Sequence, residues 1–335
     1  MCPELNAVVD CYKRQTPAYV PLQEPKPLVE QVWPDGTPPL VCTRTLTYNH
    51  KGFIRDCIEG ILMQRTTFPV RVCVHDDASI DGTADIIREY QAKFPALIWA
   101  YFQTENSYRH PNKRAKRAEF SAWSRAGSYI ALCEGDDYWT DPDKLEKQVR
   151  FLESNPDYVV AFHARDRLHA DGTLERKSEA PEPWKRDLTA RELACGAAII
   201  PTLTRVYRNV LGELPPEQQQ APHGDRFMSA RLGLHGGAKF MPEIGPAVYR
   251  VHSGGVWSGT SHDERRRNKF LTYWAIHAYF KRVGRHEYAR AWERMLADQA
   301  VGLFSNRFLF LALVKRLGGR LRRKFGFLSG RTKPS

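Results

Sequence analysis

Residues 129–139 read YIALCEGDDYW. Tyr129 to Cys133 is a short apolar run, the pattern of a strand buried on both faces. It leads straight into Glu134, Asp136 and Asp137. Three carboxylates at one strand end repel one another. A bound divalent cation removes that penalty, and oxygen ligands favour Mg2+ or Mn2+. An acidic turn without metal is the plainer reading of the same residues.

The pattern outward from this stretch alternates strand and helix. Leu40 to Leu46 (LVCTRTL) reads as a strand, and Phe53 to Gln64 as a helix with Ile54, Ile58, Ile61 and Leu62 on one side. Val70 to His75 is a second apolar strand. Asp81-Gly82-Thr83 turns the chain into a helix carrying Ile86, Ile87 and Tyr90, and Leu97 to Phe102 is a third strand. Lys113 to Arg125 reads as a basic helix. Past the acidic stretch, Asp141 suits a helix cap and Pro142 the first helical position, with Leu145, Val149 and Leu152 as the apolar face. Tyr158 to Phe162 is a further strand. Residues 163–220, punctuated by Pro181, Pro183, Pro215 and Pro216, read as irregular. Residues 258–298 look helical.

This alternation predicts an α/β fold with a mostly parallel, Rossmann-like sheet flanked by helices, followed by a C-terminal helical extension. Ligands bind beyond the carboxyl ends of such strands. That rule selects the segments after Leu46, His75 and Cys133. The expected organisation is a Pro-rich extension over residues 1–38 and a main domain over 39–260. The domain divides into a ligand-binding half, 39–140, and an acceptor half, 141–260. Residues 261–335 form a helical region with a basic tail.

The chain has 335 residues, 42% hydrophobic, enough to bury a large core. Its formal net charge of +12 predicts an anionic partner. Residues 301–335 hold nine Lys/Arg and no Asp or Glu, interleaved with Phe304, Phe308, Phe310 and Leu313. That suits an interfacial helix on anionic lipid, or a packed helix with a solvated basic end. The seven cysteines form no C-x-x-C pair and read as buried thiols. The first ten residues lack a basic start with an apolar run, and Phe308 to Val314 falls far short of the roughly 20 residues that span a bilayer. The expected location is cytoplasmic, peripheral on the inner membrane face if the tail binds lipid.

Three further clusters carry polar chemistry. His75 to Thr83 (HDDASIDGT) places Asp76, Asp77 and Asp81 in one turn, either capping a helix or accepting hydrogen bonds from a base or ribose. Tyr249 to Trp257 (YRVHSGGVW) offers His252 as an imidazole for a metal or as an ordinary loop residue. Trp257 there can cover a sugar face or simply pack. Asp225, in His223-Gly224-Asp225-Arg226, suits a helix cap or a general base.

Taken in order, these runs resemble family 2 glycosyltransferases of the GT-A fold. Leu46-Thr47-Tyr48-Asn49-His50 resembles the opening motif, and Cys57 to Gln64 the segment after it. Val72 to Thr83 resembles the donor turn, Tyr129 to Trp139 the metal-binding acidic motif, and Val248 to Trp257 the late His-containing loop. The likeness covers roughly residues 39–260. It departs from the family at Leu46, where Pro is frequent, at Glu134, where Asp is frequent, and at Gly224, where many members carry Glu.

The resemblance implies an inverting, metal-dependent transferase that moves a sugar from a nucleotide-diphosphate sugar to an acceptor hydroxyl, in bacterial surface polysaccharide or lipopolysaccharide synthesis. Thr47, Tyr48, Asn49, Asp76 and Asp77 would face the nucleotide, with Asn106 and Lys113 near the donor. Asp136 would be the principal ligand of Mn2+ or Mg2+, with His252 second. Glu134 and Asp137 would contact the ribose, the donor sugar or metal-bound water. Asp225 would be the base. Trp139, Gly255 and Trp257 would lie on the acceptor side, toward a glycan or lipid-linked glycan. Competing readings are a nucleotidyltransferase, although Leu46 to Gly52 has only one glycine for a phosphate loop, and a non-catalytic nucleotide-sugar or anionic-lipid binding protein. The tail lacks a regular stacking platform, so specific nucleic-acid binding is not expected.

Overall fold

The computed structural model describes residues 19–108, 110, 116–176, 185–255 and 260–303. They fall into two compact units. One runs through Leu214 and takes in Met228–Gly259; the other comprises Pro215–Phe227 and residues from Thr260 onward.

The first unit holds the strands. They are β1 (Lys26–Pro27), β2 (Val41–Thr47), β3 (Arg65–Thr66), β4 (Val70–Asp76), β5 (Ile98–Phe102), β6 (Tyr129–Leu132), β7 (Tyr158–Phe162), β8 (Arg165–His169), β9 (Leu174–Glu175), β10 (Val206–Arg208), β11 (Gly237–Phe240) and β12 (Ala247–Val251). Seven form the main sheet in the order β11-β7-β10-β6-β2-β4-β5. It is mostly parallel, as the alternation predicted. The exception is β10, antiparallel to both β6 and β7.

Alternation along each strand builds one core per sheet face. Val70, Val72 and Val74 of β4 and Tyr129 and Ala131 of β6 share one cluster; Cys73 and Ile130 point into the other. Helix α1 (Ile54–Leu62) lays Ile54, Cys57, Ile58 and Ile61 into the first core, all fully buried. It approaches so closely that a Cβ on Gly60 would lie 2.8 Å from Trp139 O. Helices α2 (Thr83–Lys93) and α3 (Ala118–Trp123) follow β4 and β5. The start of the expected basic helix, Lys113 to Ala115, lies outside the described residues.

Two expectations need correction. Helix α4 starts at Lys144 (Lys144–Ser154), so Asp141 and Pro142 precede it. Asp141 instead ties loops together, accepting hydrogen bonds from Asp143 N at 2.8 Å and Gly245 N at 2.9 Å. Residues 163–220 are more regular than their punctuation suggested. They supply β8, β9, β10, helix α5 (Ala190–Ala194) and helix α6 (Pro216–Gln219). Strands β12, β8 and β9 make a separate three-stranded sheet.

Lys144 is fully buried in α4, its Nζ 4.0 Å from the centre of the Trp139 ring and without a hydrogen-bond partner among the described residues. Burial pulls its ammonium down to about 7, against the opposing pull of Cys133 and Asp141. An uncompensated buried amine destabilises the fold, and the ring face offsets only part of that. Lys144→Met should therefore stabilise the chain by about 1–3 kcal/mol. Because the folded pKa is depressed, the wild type loses stability as pH falls from the ordinary lysine range through 7. The advantage of the variant should be larger at pH 6 than at pH 9, read as the urea midpoint. A lower midpoint in the variant would mean that the amine is satisfied.

The second unit is helical, the C-terminal extension expected from sequence. Helix α7 (Gly224–Leu232) crosses the division between Phe227 and Met228, and helices α8 (His262–Arg282) and α9 (His286–Leu303) pair with each other. Ser261 caps α8 by accepting from Glu264 N. Phe227 packs on Tyr279, and Arg282 forks onto Glu217. Among the described residues, no helix is long and apolar enough to cross a membrane.

Candidate active site

The parallel order β6-β2-β4 sets three carboxyl ends side by side, and each ends in a polar loop. The loops after β2 and β4 are laced together. Asn49 takes a left-handed conformation, φ 55°, which Asn tolerates better than most residues. Its Oδ1 accepts from Ile80 N at 2.9 Å, and its own N–H donates to Ser79 Oγ at 2.8 Å. His50 N donates to Thr83 Oγ1 at 2.9 Å, and Lys51 N to the Asp81 carboxylate at 3.0 Å.

Asp76 and Asp77, expected to face a nucleotide, are both buried. Asp76 accepts from Ser79 N at 3.0 Å and Ser79 Oγ at 2.5 Å. Asp77 accepts from Ser107 N at 3.0 Å and pairs with Arg117 at 3.0 Å. Asn106 donates to Asp77 O at 3.1 Å. These carboxylates hold the loop in shape, while Tyr48 and Ile80 are exposed at its rim. Thr47 is buried at the end of β2.

The acidic loop after β6 meets the end of β12. Asp136 Oδ2 lies 3.1 Å from His252 Nε2 and 3.8 Å from His50 Nε2. One ligand atom from each of these three residues lies within 4.8 Å of the others. All three side chains are half-buried. Burial pushes the His50 imidazole below its ordinary pKa against the pull of Asp136, which favours the neutral form that ligates metals. Two imidazoles and a carboxylate fit a divalent transition ion better than Mg2+, for which an all-oxygen set is usual.

Gly135 makes this approach possible. A Cβ there would stand 2.7 Å from Thr47 Cβ and 3.0 Å from His50 Nδ1. Asp137 points the other way and accepts from Arg250 N at 3.0 Å. Burial and the Asp136 charge hold its carboxyl well above the usual range. The Glu134 carbonyl accepts from Cys57 Sγ at 3.3 Å and Asp137 N at 3.0 Å.

Asp136 and His252, the two expected ligands, do come together, and His50 joins them although it was not among the expected ligands. His50 stood in the quoted LTYNH run, but nothing in its neighbours separates a ligand from a loop histidine. Trp139 needs correction as an acceptor-side residue. It is 2% exposed, and its indole N–H donates to Leu203 O at 2.8 Å, so it fills the core. Gly255 follows closely, donating to His252 O at 3.1 Å. Asp225 lies in the first turn of α7, in the second unit. Lys113 and Trp257 lie outside the described residues.

Residues 45–210 match the family model described as glycosyl transferase family 2. The chain is 37% identical over 226 residues to the uncharacterized protein Rv1520 of Mycobacterium tuberculosis, a match over 66% of this chain and 62% of the relative. It therefore spans less than two thirds of that protein's length. It is 32% identical over 165 residues to the "Putative teichuronic acid biosynthesis glycosyltransferase TuaG" of Bacillus subtilis; that match covers 48% of this chain and 61% of TuaG. In fold it is similar to the mannosyltransferase PcManGT of Pyrobaculum calidifontis, seen with GDP-Man and Mn2+. There the TM-score is 0.50 at 17% identity, over 95% of this chain and 89% of the other. In its ordered motifs, its match to the family model and the topology of its sheet, the chain resembles the family 2 glycosyltransferases of the GT-A fold.

Proposed function

We propose that this chain transfers a sugar from a nucleotide-diphosphate sugar to an acceptor hydroxyl with inversion at the anomeric carbon. The observation that carries this reading is the convergence of His50, Asp136 and His252 beside the loop of residues 76–83, at the carboxyl ends of adjacent strands. His50, Asp136 and His252 would hold a divalent cation. When bound, that cation neutralises charge on the departing diphosphate. The loop laced by Asn49, Ser79 and Asp81 offers a firm wall for the nucleoside, with Tyr48 and Ile80 at its rim.

The acceptor hydroxyl is a poor nucleophile at neutral pH, and a carboxylate within reach takes its proton as attack proceeds. The family likeness assigns that proton to the Asp225 carboxylate. Asp225→Asn should keep donor binding and lose about 10²- to 10⁴-fold in transfer rate. A near-normal rate removes Asp225 from the role.

The acceptor in this reading is a surface glycan or its lipid-linked precursor. Support comes from the description carried by TuaG and from the net charge of +12, which suits an anionic acceptor or membrane surface. The basic tail, outside the described residues, would hold the chain at the inner membrane face. The reading is tested by a nucleotide-sugar panel with Mn2+, scored by binding and slow donor hydrolysis. One donor should stand out; failure of every activated sugar to bind contradicts it. With two imidazoles in the set, Mn2+ should bind about tenfold tighter than Mg2+. Equal affinities in a calorimetric titration contradict histidine ligation.

A further inference from the structure

We infer that Arg250 is a positioning residue that fixes the mutual spacing of His50, Asp136 and His252. The inference rests on the reading of those three as a cation site. Arg250 lies in β12, two residues before His252. Its backbone N–H donates to Asp137 Oδ1 at 3.0 Å, and its guanidinium Nη1 donates to the backbone carbonyl of Asp136 at 3.0 Å. Nη2 pairs with the carboxylate of Asp56 in the first turn of α1. The strand that ends just before His252, the loop carrying Asp136 and the helix that follows His50 thus meet on one side chain.

The stacking repeats the same pattern. The guanidinium lies 4.5 Å from the ring centre of Tyr138 and 5.2 Å from that of Phe53. The Phe53 ring is in turn 4.8 Å from the His252 ring and 6.2 Å from the His50 ring. Tyr138 bonds back to β12, its N–H donating to Val248 O at 3.1 Å and its carbonyl accepting from Val248 N at 2.9 Å. Only a planar, forked cation can reach the Asp136 carbonyl and the Asp56 carboxylate while lying on aromatic faces; a lysine ammonium is a single point of charge. The Arg250 side chain is 11% exposed, so its contacts are shielded from water, whereas Asp56 is 56% exposed. Arg250 reaches the cation ligands only through their backbone and neighbours, so its effect falls on where they stand.

The test is Mn2+ affinity of the full chain, read from the free-ion signal in electron paramagnetic resonance, beside the thermal midpoint without metal. Arg250→Ala should weaken Mn2+ about tenfold or more, the usual effect of removing an outer-shell support. Arg250→Lys should restore charge but little affinity. Transfer by Arg250→Ala should recover most of its kcat at saturating Mn2+ while the donor KM at low Mn2+ stays raised. Wild-type affinity in a folded Arg250→Ala overturns the inference. If that variant does not fold, Asp56→Asn decides, because it removes only the exposed anchor. About threefold weaker Mn2+ binding supports positioning, as a fraction of the outer-shell effect, and unchanged binding overturns it. A wild-type chain that takes up no Mn2+ overturns the cation reading itself, an outcome distinct from variants that bind as the wild type does.

Discussion

Asp136→Asn will abolish Mn2+-dependent donor binding and lower transfer by about 10³-fold or more, the loss expected when several kcal/mol of charge stabilisation disappear. Asp136 supplies the only carboxylate among the three candidate ligands, and both imidazoles converge on its Oδ2. An amide keeps the shape but offers a neutral, weaker donor. The substitution should leave the fold intact. The Asp136 charge is one of the causes that push the buried Asp137 carboxyl upward, so its removal relieves a repulsion. A thermal midpoint equal to or above that of the wild type, with activity lost, is the expected pair of readings. Donor binding that survives both the substitution and a chelator would remove Asp136 from the centre of the site.

Gly135→Ala should produce the second largest effect by a different route. The added methyl would sit 2.7 Å from both Thr47 Cβ and Thr47 Oγ1. Thr47 is buried at the end of β2 and cannot swing aside. The acidic loop must therefore lift away from β2 and carry Asp136 away from His50. Overpacking of this kind costs about 1–3 kcal/mol. A displacement near 1 Å at the reacting site is worth about 10²-fold in rate. Stability and activity should fall together, which distinguishes this variant from Asp136→Asn. Unchanged kinetics would mean that the loop is free to move without consequence.

The parts of the fold legible in the sequence are those whose local pattern and tertiary role coincide. Strand β6 is a continuous apolar run and β4 sets Val70, Val72 and Val74 at every second position, facing one core, so YIAL and VRVCVH announced themselves. Strand β10 did not: it is three residues long, and its place between β6 and β7 is set by pairing with residues far away in sequence. Strand β8, RDRLH, is polar because it belongs to a small separate sheet rather than the core.

The site divides in the same way. Asp136 was legible because three carboxylates at a strand end need a reason. His50 was not, because its significance comes from the parallel neighbour β6, which brings the acidic loop beside it. Trp139 misled because an aromatic beside an acidic motif reads alike whether it faces a sugar or packs under a helix. Only the fit against Gly60 and the bond to Leu203 distinguish the two. Asp76 and Asp77 were legible as a turn at a strand end, but their hydrogen bonds to Ser79, Ser107 and Arg117 depend on loops the sequence does not place.

The most direct measurement is anomalous diffraction at the manganese edge from crystals of the chain grown with Mn2+ and a nucleoside diphosphate. A single strong peak bounded by Asp136, His50 and His252, with phosphate oxygens completing its coordination, is the predicted result. A peak elsewhere, or none at these three residues while the nucleotide is bound, would contradict it.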